Sequence, residues 1–379
     1  MTGKNYLIIA LAIVLSCAIS YASTPFVKKL AYKVGAIDVP KDERRMHKVP
    51  IPRLGGLAIF AGFLVSLLVF GTLDITMISV LIGATIIVVM GVLDDIYDIK
   101  AWVKLLCQLA AALIPVLFGK LRIETLFNLD IFSSDPYSYL GIFSIPVTVI
   151  WIMALTNAVN FIDGLDGLAA GVSAISALSL LIISCVLANP YVAVVMAALA
   201  GGILGFLPYN RNPAKIFMGD TGALLLGYIL ATMSIQGLFK FYAIVGFAVP
   251  FLVLAIPIAD IVNAVARRLL KGKNPMSADR EHMHHKLIDM GFNQKQAVAI
   301  LYSLSGILGI LAVVVTTSGE GKALMLLAAI VLAGVIVTRV LTVLAAKNRA
   351  AHKTHEQKEE DKTTEISEES RSPTEKTEE

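Results

Sequence analysis

Charged residues are scarce in this sequence. They make up 16% of the 379 residues, whereas about 25% is usual in a soluble domain. Hydrophobic residues make up 57%, and the mean hydropathy is +0.77. This balance excludes a water-soluble globular domain. Because a membrane-spanning helix takes roughly 20 apolar residues, the chain has material for on the order of ten spans.

Cysteine is nearly absent, and several nucleotide-binding motifs are missing. Cys17, Cys107 and Cys185 are far apart, and each lies within an apolar run. This spacing provides neither a disulfide framework nor a set of metal ligands, so we expect all three to pack as small hydrophobic groups. The sequence has no Walker lysine motif and no Gly-rich kinase loop, which argues against ATP-driven chemistry.

Eleven apolar runs are predicted to cross the membrane, so the expected fold is an all-α polytopic membrane protein of about 10–11 transmembrane helices. The runs are 5–24, 54–71, 75–93, 103–119, 143–159, 168–188, 190–207, 220–237, 243–266, 297–316 and 323–345. A short hairpin is predicted in the outer loop 120–142. The predicted organisation is a transmembrane domain over 1–345 and a disordered, charged cytoplasmic tail over 346–379.

Basic residues predict the orientation of the chain. Of the 32 Lys and Arg residues, 26 fall in loops on one side of the predicted membrane and in the tail. The positive-inside rule therefore places the N-terminus outside and the C-terminus in the cytoplasm. The net charge of +4 conceals this asymmetry, because the segment 351–379 holds ten acidic and only five basic residues. The cytoplasmic face is therefore expected to attract anionic substrates.

Five polar clusters interrupt the apolar pattern, and all of them lie on the predicted cytoplasmic side. They fall within 38–56, 94–104, 157–167, 208–222 and 279–285. Carboxylates at the end of a span are costly when they face lipid, so these clusters are expected to line a water-filled cleft or to hold a cation.

The acids Asp94, Asp95 and Asp98 stand at positions i, i+1 and i+4. Three negative charges this close repel one another unless a cation is present. Mg²⁺ suits such a site, because it binds through one or two carboxylates together with substrate phosphates. The alternative is a hydrated span end that happens to hold a few acids.

The next two clusters carry amides, acids and an aromatic ring. Asn157, Asn160, Asp163 and Asp166 repeat every three residues, and intervening glycines let a ligand approach the backbone. Such side chains read hydroxyls and imide edges or ligate metal; the alternative is a polar lock between helices. Phe217 precedes Asp220 at a helix start, where phosphate is attracted and the ring can stack on a base. The alternative there is an ordinary helix cap.

The last cluster contains His282, His284 and His285 beside Arg280. A zinc site is one interpretation, but no cysteine or second ligand pair is near in sequence. Binding of a diphosphate, or proton donation near neutral pH, fits the basic surroundings better. Taken together, the clusters favour phosphoryl-type transfer from a soluble nucleotide-sugar to a membrane lipid phosphate.

Five motifs jointly resemble those of the polyprenyl-phosphate N-acetylhexosamine-1-phosphate transferases. They are Pro52–Gly56, Asp94–Asp98, Asn157–Leu168, Phe217–Gly222 and His282–His285, in that order across about residues 1–345. The sequence is more similar to the WecA/TagO branch than to the MraY branch of this family. Asp98 is present, and Met283 interrupts the histidines, as expected for the former.

The resemblance implies transfer of N-acetylglucosamine-1-phosphate from UDP-N-acetylglucosamine to undecaprenyl phosphate, with release of UMP. It places the enzyme in the bacterial cytoplasmic membrane with its active site facing the cytoplasm, at the start of a glycopolymer such as teichoic acid or O-antigen. It implies Mg²⁺, with Mn²⁺ as the alternative cofactor. It also implies a homodimer surrounded by membrane lipid, with no nucleic-acid partner.

The resemblance also assigns roles to single positions. The implied catalytic residues are Asp94, Asp95, Asp98 and Asp163. The implied substrate-binding residues are Arg53, Lys104, Asn157, Asn160, Asp163, Asp166, Phe217, Arg280, His282, His284 and His285. The implied metal ligands are Asn160 and Asp220.

Two mechanisms and two other protein classes are open at this level. The lipid phosphate attacks the nucleotide-sugar directly, which we favour, or an aspartate first forms a covalent phosphosugar intermediate. A transporter would explain Asp260 and Arg339 within spans, but it would place its polar groups near the midplane. We interpret Asp260 as a polar lock between helices. A prenyltransferase would need a second acid run, which the sequence lacks.

Overall fold

The computed structural model describes residues 1–40, 49–127, 137–237, 243–270 and 282–318, together with 322, 325 and 326. The chain divides into two units, Met1–Ala323 and Leu324–Glu379, and all that follows concerns the first. Its described α-helices are α1 (Gly3–Val34), α2 (Gly55–Phe70), α3 (Ile75–Tyr97), α4 (Ala101–Leu117), α5 (Ser144–Phe161), α6 (Leu168–Val186), α7 (Pro190–Asn210), α8 (Gly219–Gly237), α9 (Ala243–Val253), α10 (Ala255–Leu270), α11 (Met283–Asp289) and α12 (Gln294–Thr317).

The all-α polytopic fold is confirmed. Each of the first ten predicted spans coincides with a helix or, for 243–266, with the pair α9 and α10. Among the described residues, six helical stretches are long and apolar enough to cross a membrane, and α2 and α4 are shorter apolar helices. The six stretches are α1, α3, Gly141–Phe161 (which contains α5), α6, α7 and α12. The eleventh predicted span and the tail fall almost wholly outside the described residues, and the orientation stays a prediction.

Four helices differ from the predicted spans. α1 has 32 residues and continues past the predicted end at residue 24, so at 1.5 Å per residue it is about 48 Å long. The predicted span 243–266 is divided at Leu254. Pro257 is the third residue of α10, where its missing N–H removes a hydrogen bond to Val253 and favours a break. The short helix α11 was not predicted.

Two small antiparallel sheets lie between the helices. The predicted hairpin of the outer loop is present as β3 (Thr125–Phe127) and β4 (Tyr137–Tyr139). A second sheet, which was not predicted, pairs β1 (Ile37–Asp38) with β2 (Ile51–Pro52). Phe217 donates its backbone N–H to the carbonyl of Pro52 at 2.8 Å, so this sheet adjoins the chain before α8.

Close backbone contacts hold the start of α8 against α2 and α3. A Cβ added at Gly56 would lie 2.2 Å from the backbone nitrogen of Gly222. A Cβ added at Gly91 would lie 2.5 Å from the Cα of Thr221. Glycine is therefore required at both positions, since small residues let membrane helices approach closely. This packing brings the end of α3 to the beginning of α8. The three cysteines are half-buried and free, as expected.

Candidate active site

A cavity of about 350 Å³ lies where these helix ends meet. Eight of the predicted site residues line it: Arg53, Asp95, Asn160, Asp163, Asp166, Phe217, Asp220 and His285. Asp38, from the predicted cluster 38–56 but not named as a site residue, also lines it, as does Gln294, which lies outside the predicted clusters. All five predicted polar clusters therefore contribute residues to the wall.

Asp95 caps helix α8 with its side chain. One carboxylate oxygen accepts the backbone N–H of Asp220 at 3.0 Å, and the other accepts the N–H and the hydroxyl of Thr221 at 3.1 and 2.7 Å. Gly219 has a positive φ of 72°, and a Cβ there would lie 2.3 Å from the Asp95 carboxylate. A carboxylate at a helix start satisfies N–H groups that have no partner within the helix. Asp95 therefore fixes the position of Asp220.

Asp220 is the centre of a group of charged and amide side chains from four helices. Its carboxylate accepts the Asn160 amide N–H at 2.9 Å and the Lys104 ammonium at 3.2 Å. Lys104 also contacts Asp94 at 2.5 Å. We call this group the carboxylate cluster; its members are Asp94, Asp95, Lys104, Asn160 and Asp220. The repulsion predicted among the acids is relieved here by the lysine.

The donor atoms fit the implied Mg²⁺. Asp220 is partly exposed, with 31% of its side chain accessible, and Asn160 adds an amide oxygen beside it. Mg²⁺ is bound through one or two protein carboxylates and otherwise by water and substrate phosphates. Within the described residues, no three His, Cys, Asp or Glu side chains converge to hold a metal ion. Asn160 and Asp220 would hold Mg²⁺ together with the phosphates of the substrate.

Six predicted site residues among the described ones do not line the wall. Asp94 and Lys104 belong to the carboxylate cluster, His282 and His284 lie behind the wall, and the other two are Asp98 and Asn157. Asp98 is the C-cap of α3, with a φ of 52°, and it is exposed because the helix ends at Tyr97. Asn157 forms a side-chain amide pair with Gln108, at 2.6 and 3.3 Å, between α5 and α4. For Asn157, the structure shows the polar lock that the sequence left as the alternative.

The loop between α5 and α6 carries two acids of the cavity wall. Burial and the nearby carboxylates of Asp220, Asp95 and Asp166 raise the pKa of Asp163 to about 8, against the opposing influence of Arg53. A cation bound at Asp220 would offset one of the charges that raise this pKa.

Asp166, the second acid of this loop, also holds neighbouring chain. Its carboxylate accepts the amide of Asn212 at 2.9 Å and the backbone N–H of Ala214 at 3.0 Å. These contacts tie the α5–α6 loop to the chain before α8. Asp166 therefore supports the wall as well as lining it.

Arg53 and Phe217 occupy neighbouring parts of the wall. Arg53 donates to Asp38 at 2.6 Å, an ion pair that joins the end of β1 to the residue after β2. The Phe217 carbonyl accepts the Gly55 N–H at 3.0 Å. The Arg53 side chain and the Phe217 backbone are thus held by the unpredicted sheet and its connection to α2.

The histidines lie at the start of α11, and we call residues 282–285 the histidine segment. His285 lines the cavity, while His282 and His284 are buried behind it. Arg280, predicted to act with them, lies outside the described residues. His282 contacts Asp260 at 2.7 Å. Asp260 was interpreted as a polar lock between helices, and this contact joins α10 to the start of α11.

The fold and the site together define a class of protein: a polytopic membrane protein whose helix ends enclose a cavity with the charges needed for phosphoryl transfer. The family model of Glycosyl transferase family 4 matches residues 77–238, which include the whole carboxylate cluster and the α5–α6 loop.

Curated relatives match over most of the chain. A probable undecaprenyl-phosphate N-acetylglucosaminyl 1-phosphate transferase of Bacillus subtilis is 35% identical over 324 residues, covering 84% of this chain and 88% of the relative. A decaprenyl-phosphate N-acetylglucosaminephosphotransferase of Mycolicibacterium smegmatis is 31% identical, covering 87% of both. An undecaprenyl-phosphate alpha-N-acetylglucosaminyl 1-phosphate transferase of Escherichia coli is 30% identical, covering 76% and 78%. The chain belongs to Glycosyl transferase family 4, and the resemblance inferred from its motifs is confirmed.

Proposed function

We propose that the chain transfers N-acetylglucosamine-1-phosphate from UDP-N-acetylglucosamine to undecaprenyl phosphate and releases UMP. The observation that carries this proposal is the carboxylate cluster, in which Lys104 bridges Asp94 and Asp220 beside Asn160. A lysine, an amide and a partly exposed carboxylate at one point suit two phosphate-bearing substrates and a divalent cation. The substrates named for the relatives in Bacillus subtilis and Escherichia coli support the same reaction.

The reaction we propose is a direct displacement. An oxygen of the lipid phosphate forms a bond to the β-phosphorus of the nucleotide-sugar, and the bond from that phosphorus to the oxygen bridging to UMP breaks. A phosphomonoester has its second pKa near 6, so it is mostly ionised at about pH 7 without a strong base. Mg²⁺, when bound at Asn160 and Asp220, neutralises charge on the phosphates.

The side chains of the cluster have distinct tasks in this scheme. Lys104 supplies positive charge where the phosphates meet. Asp94 orients Lys104, since the two are in direct contact. Both oxygens of Asp95 are hydrogen-bonded to α8, which argues against Asp95 as the nucleophile of a covalent mechanism. Asp163 lies on the cavity wall and, in its protonated form, is placed to donate a hydrogen bond to the nucleotide.

We also propose the cytoplasmic membrane as the location, with the cavity open to the cytoplasm, where nucleotide-sugars are made. The distribution of lysine and arginine supports this orientation. We further propose that the enzyme is a homodimer. Its product would begin a cell-envelope glycopolymer such as teichoic acid or O-antigen.

The test uses the purified full chain in phospholipid nanodiscs with undecaprenyl phosphate, Mg²⁺ and a panel of UDP-sugars. UMP release should require both the lipid phosphate and UDP-N-acetylglucosamine. Exchange of labelled UMP into UDP-N-acetylglucosamine without lipid would instead support the covalent mechanism. Uptake of the nucleotide-sugar into proteoliposomes without turnover would overturn the proposal in favour of a transporter.

A further inference from the structure

Asp260 is a buried carboxylate that the proposed reaction does not use. It lies in α10 and is 2% exposed. Its two oxygens are both hydrogen-bonded to the histidine segment: one to the His282 ring nitrogen Nδ1 at 2.7 Å, the other to the backbone N–H of Met283 at 2.7 Å. A buried carboxylate is costly unless it is paired and hydrogen-bonded. Here the His282 ring and the Met283 backbone N–H supply the two hydrogen bonds that the Asp260 carboxylate needs.

The pair determines how His282 is oriented. Because Nδ1 is committed to Asp260, Nε2 is the ring atom left for any other partner. A carboxylate that accepts from one ring nitrogen fixes both the tautomer and the orientation of an imidazole. The Met283 contact fixes the backbone at the same place, so the ring and the chain direction are set together.

The orientation of His282 is passed to the cavity through stacked rings. The rings of His282 and His284 are parallel within 3°, and their centroids are 5.8 Å apart. The ring of Phe161 also lies 5.8 Å from that of His282. His285 in turn lies 4.3 Å from His284 and lines the cavity. A change in the His282 ring therefore reaches a cavity residue through one intermediate ring.

The His284 ring of this stack also contacts the α5–α6 loop, which carries Asp163 and Asp166. A Cβ added at Gly164 would lie 2.2 Å from Nε2 of His284. That nitrogen is buried, and it has no hydrogen-bond partner among the described residues. The contact is thus one of shape, and it depends on where the histidine segment lies. Gly164 is adjacent to Asp163, so the segment also determines the position of the acid loop.

We propose that Asp260 is a positioning residue, which places His285 and the Asp163–Asp166 loop in the cavity through its hydrogen bonds to His282 and Met283. Its part in catalysis rests on the proposed function; its part in ordering α11 does not. Partners that orient a metal-bound histidine contribute about 10- to 100-fold to activity, and we expect an effect of the same size here.

A double-mutant cycle tests the route through His282. Asp260→Asn keeps the size of the side chain and should lower kcat/KM about 10- to 100-fold. His282→Gln keeps an amide near the position of Nε2 but loses the contact of Nδ1. In the His282→Gln background, Asp260→Asn should change kcat/KM by less than about twofold. Independent losses that multiply would show that Asp260 acts elsewhere, and would overturn the proposal.

Hydrogen–deuterium exchange gives a second test that needs no activity. Asp260→Asn should speed exchange in 283–289 and leave 219–237 unchanged. Asp289→Asn is the matched control, because Asp289 is an exposed acid at the end of the same helix, and it should change neither region. Unchanged exchange in 283–289 would overturn the proposal. If Asp260→Asn yields no folded protein, His282→Gln is measured instead and should speed exchange in 283–289.

The two proposals fail in different ways. A wild-type chain that releases no UMP refutes the proposed function, while the exchange measurement still decides the role of Asp260. A wild-type chain that is active, with multiplying losses in the cycle, refutes the role of Asp260 alone.

Discussion

The carboxylate cluster and the histidine segment border one cavity but are held in different ways. The cluster draws side chains from α3, α4, α5 and α8, and each acid contacts groups on other helices. The histidine segment lies at the start of a helix of seven residues, and the buried carboxylate of Asp260 is hydrogen-bonded to both His282 and Met283. Because its contacts are shared among four helices, the carboxylate cluster should keep its structure when one residue is replaced, whereas the reaction rate should fall. Because Asp260 is hydrogen-bonded to both the ring and the backbone at the start of the segment, loss of Asp260 should disturb the structure of the segment first.

Asp220→Ala should have the largest effect and should test the chemical sensitivity of the carboxylate cluster. It removes the proposed Mg²⁺ ligand and the shared partner of Asn160 and Lys104. We expect kcat to fall by roughly 10²- to 10³-fold, the usual cost of losing one electrostatic group at a reacting centre. UMP release measures this, and retention of the variant in the membrane fraction controls for folding.

Near-normal turnover of Asp220→Ala would remove this residue from the metal site. A chain that no longer inserts would break the comparison itself, because the cluster would then be needed for the fold as well.

A pair of variants at Asp95 should have the next largest effect. Asp95→Ala removes three hydrogen bonds to the start of α8, whereas Asp95→Asn keeps an acceptor oxygen. Loss of an N-cap costs about 0.5–2 kcal/mol. We expect Asp95→Ala to lose about 10- to 100-fold in kcat, since it displaces a proposed metal ligand, and Asp95→Asn to lose less.

Thermal unfolding measured beside kcat distinguishes capping from direct chemistry at Asp95. Thr221→Val, which removes only the hydroxyl donor, should follow Asp95→Asn in both measurements. Equal losses for Asp95→Ala and Asp95→Asn without a change in stability would mean that the charge itself acts on substrate.

Phe217→Ala should weaken binding of the nucleotide-sugar and leave the structures of the carboxylate cluster and the histidine segment nearly unchanged. The backbone of Phe217 is held by Pro52 and Gly55, so truncation of the ring should leave the wall in place. Base stacking is worth roughly 1–3 kcal/mol per base, so KM for the nucleotide-sugar should rise by about fivefold or more with kcat nearly unchanged. Phe217→Tyr keeps a stacking face and is the matched control. An unchanged KM would contradict the stacking role.

The sequence predicted the parts of the molecule that depend on local pattern. Ten spans were found because apolar length identifies a membrane helix, and the hairpin of the outer loop followed from its polar composition. The acids were predicted to share one face, and Asp95, Asp163 and Asp220 do line one cavity. These features need no knowledge of how the helices pack.

The partners of those residues could not be predicted in the same way. Asp95 contacts backbone 125 residues away, and Asn157 pairs with Gln108 across 49 residues. Asp260 was predicted to form a polar lock between helices, and it does join α10 to the start of α11. Its partner could not be predicted, because His282 follows 22 residues later beside a short helix without an apolar pattern. Such contacts are set by helix packing, which is decided at glycines such as Gly56 and Gly91 rather than by the polar residues themselves.

The pH dependence of the histidine segment should give the smallest effect and the finest test of the comparison. Burial and the neighbouring His285 and His282 lower the pKa of His284 from 6.5 to about 4, and Asp260 opposes them. Between these two values the unfolded segment binds more protons than the folded one, so its stability falls as pH falls. We expect the protection of 283–289 against hydrogen exchange to fall from pH 6.5 toward pH 4, relative to the protection of 219–237. His284→Gln cannot be protonated and should flatten this dependence; an equally steep one would place the titrating group elsewhere.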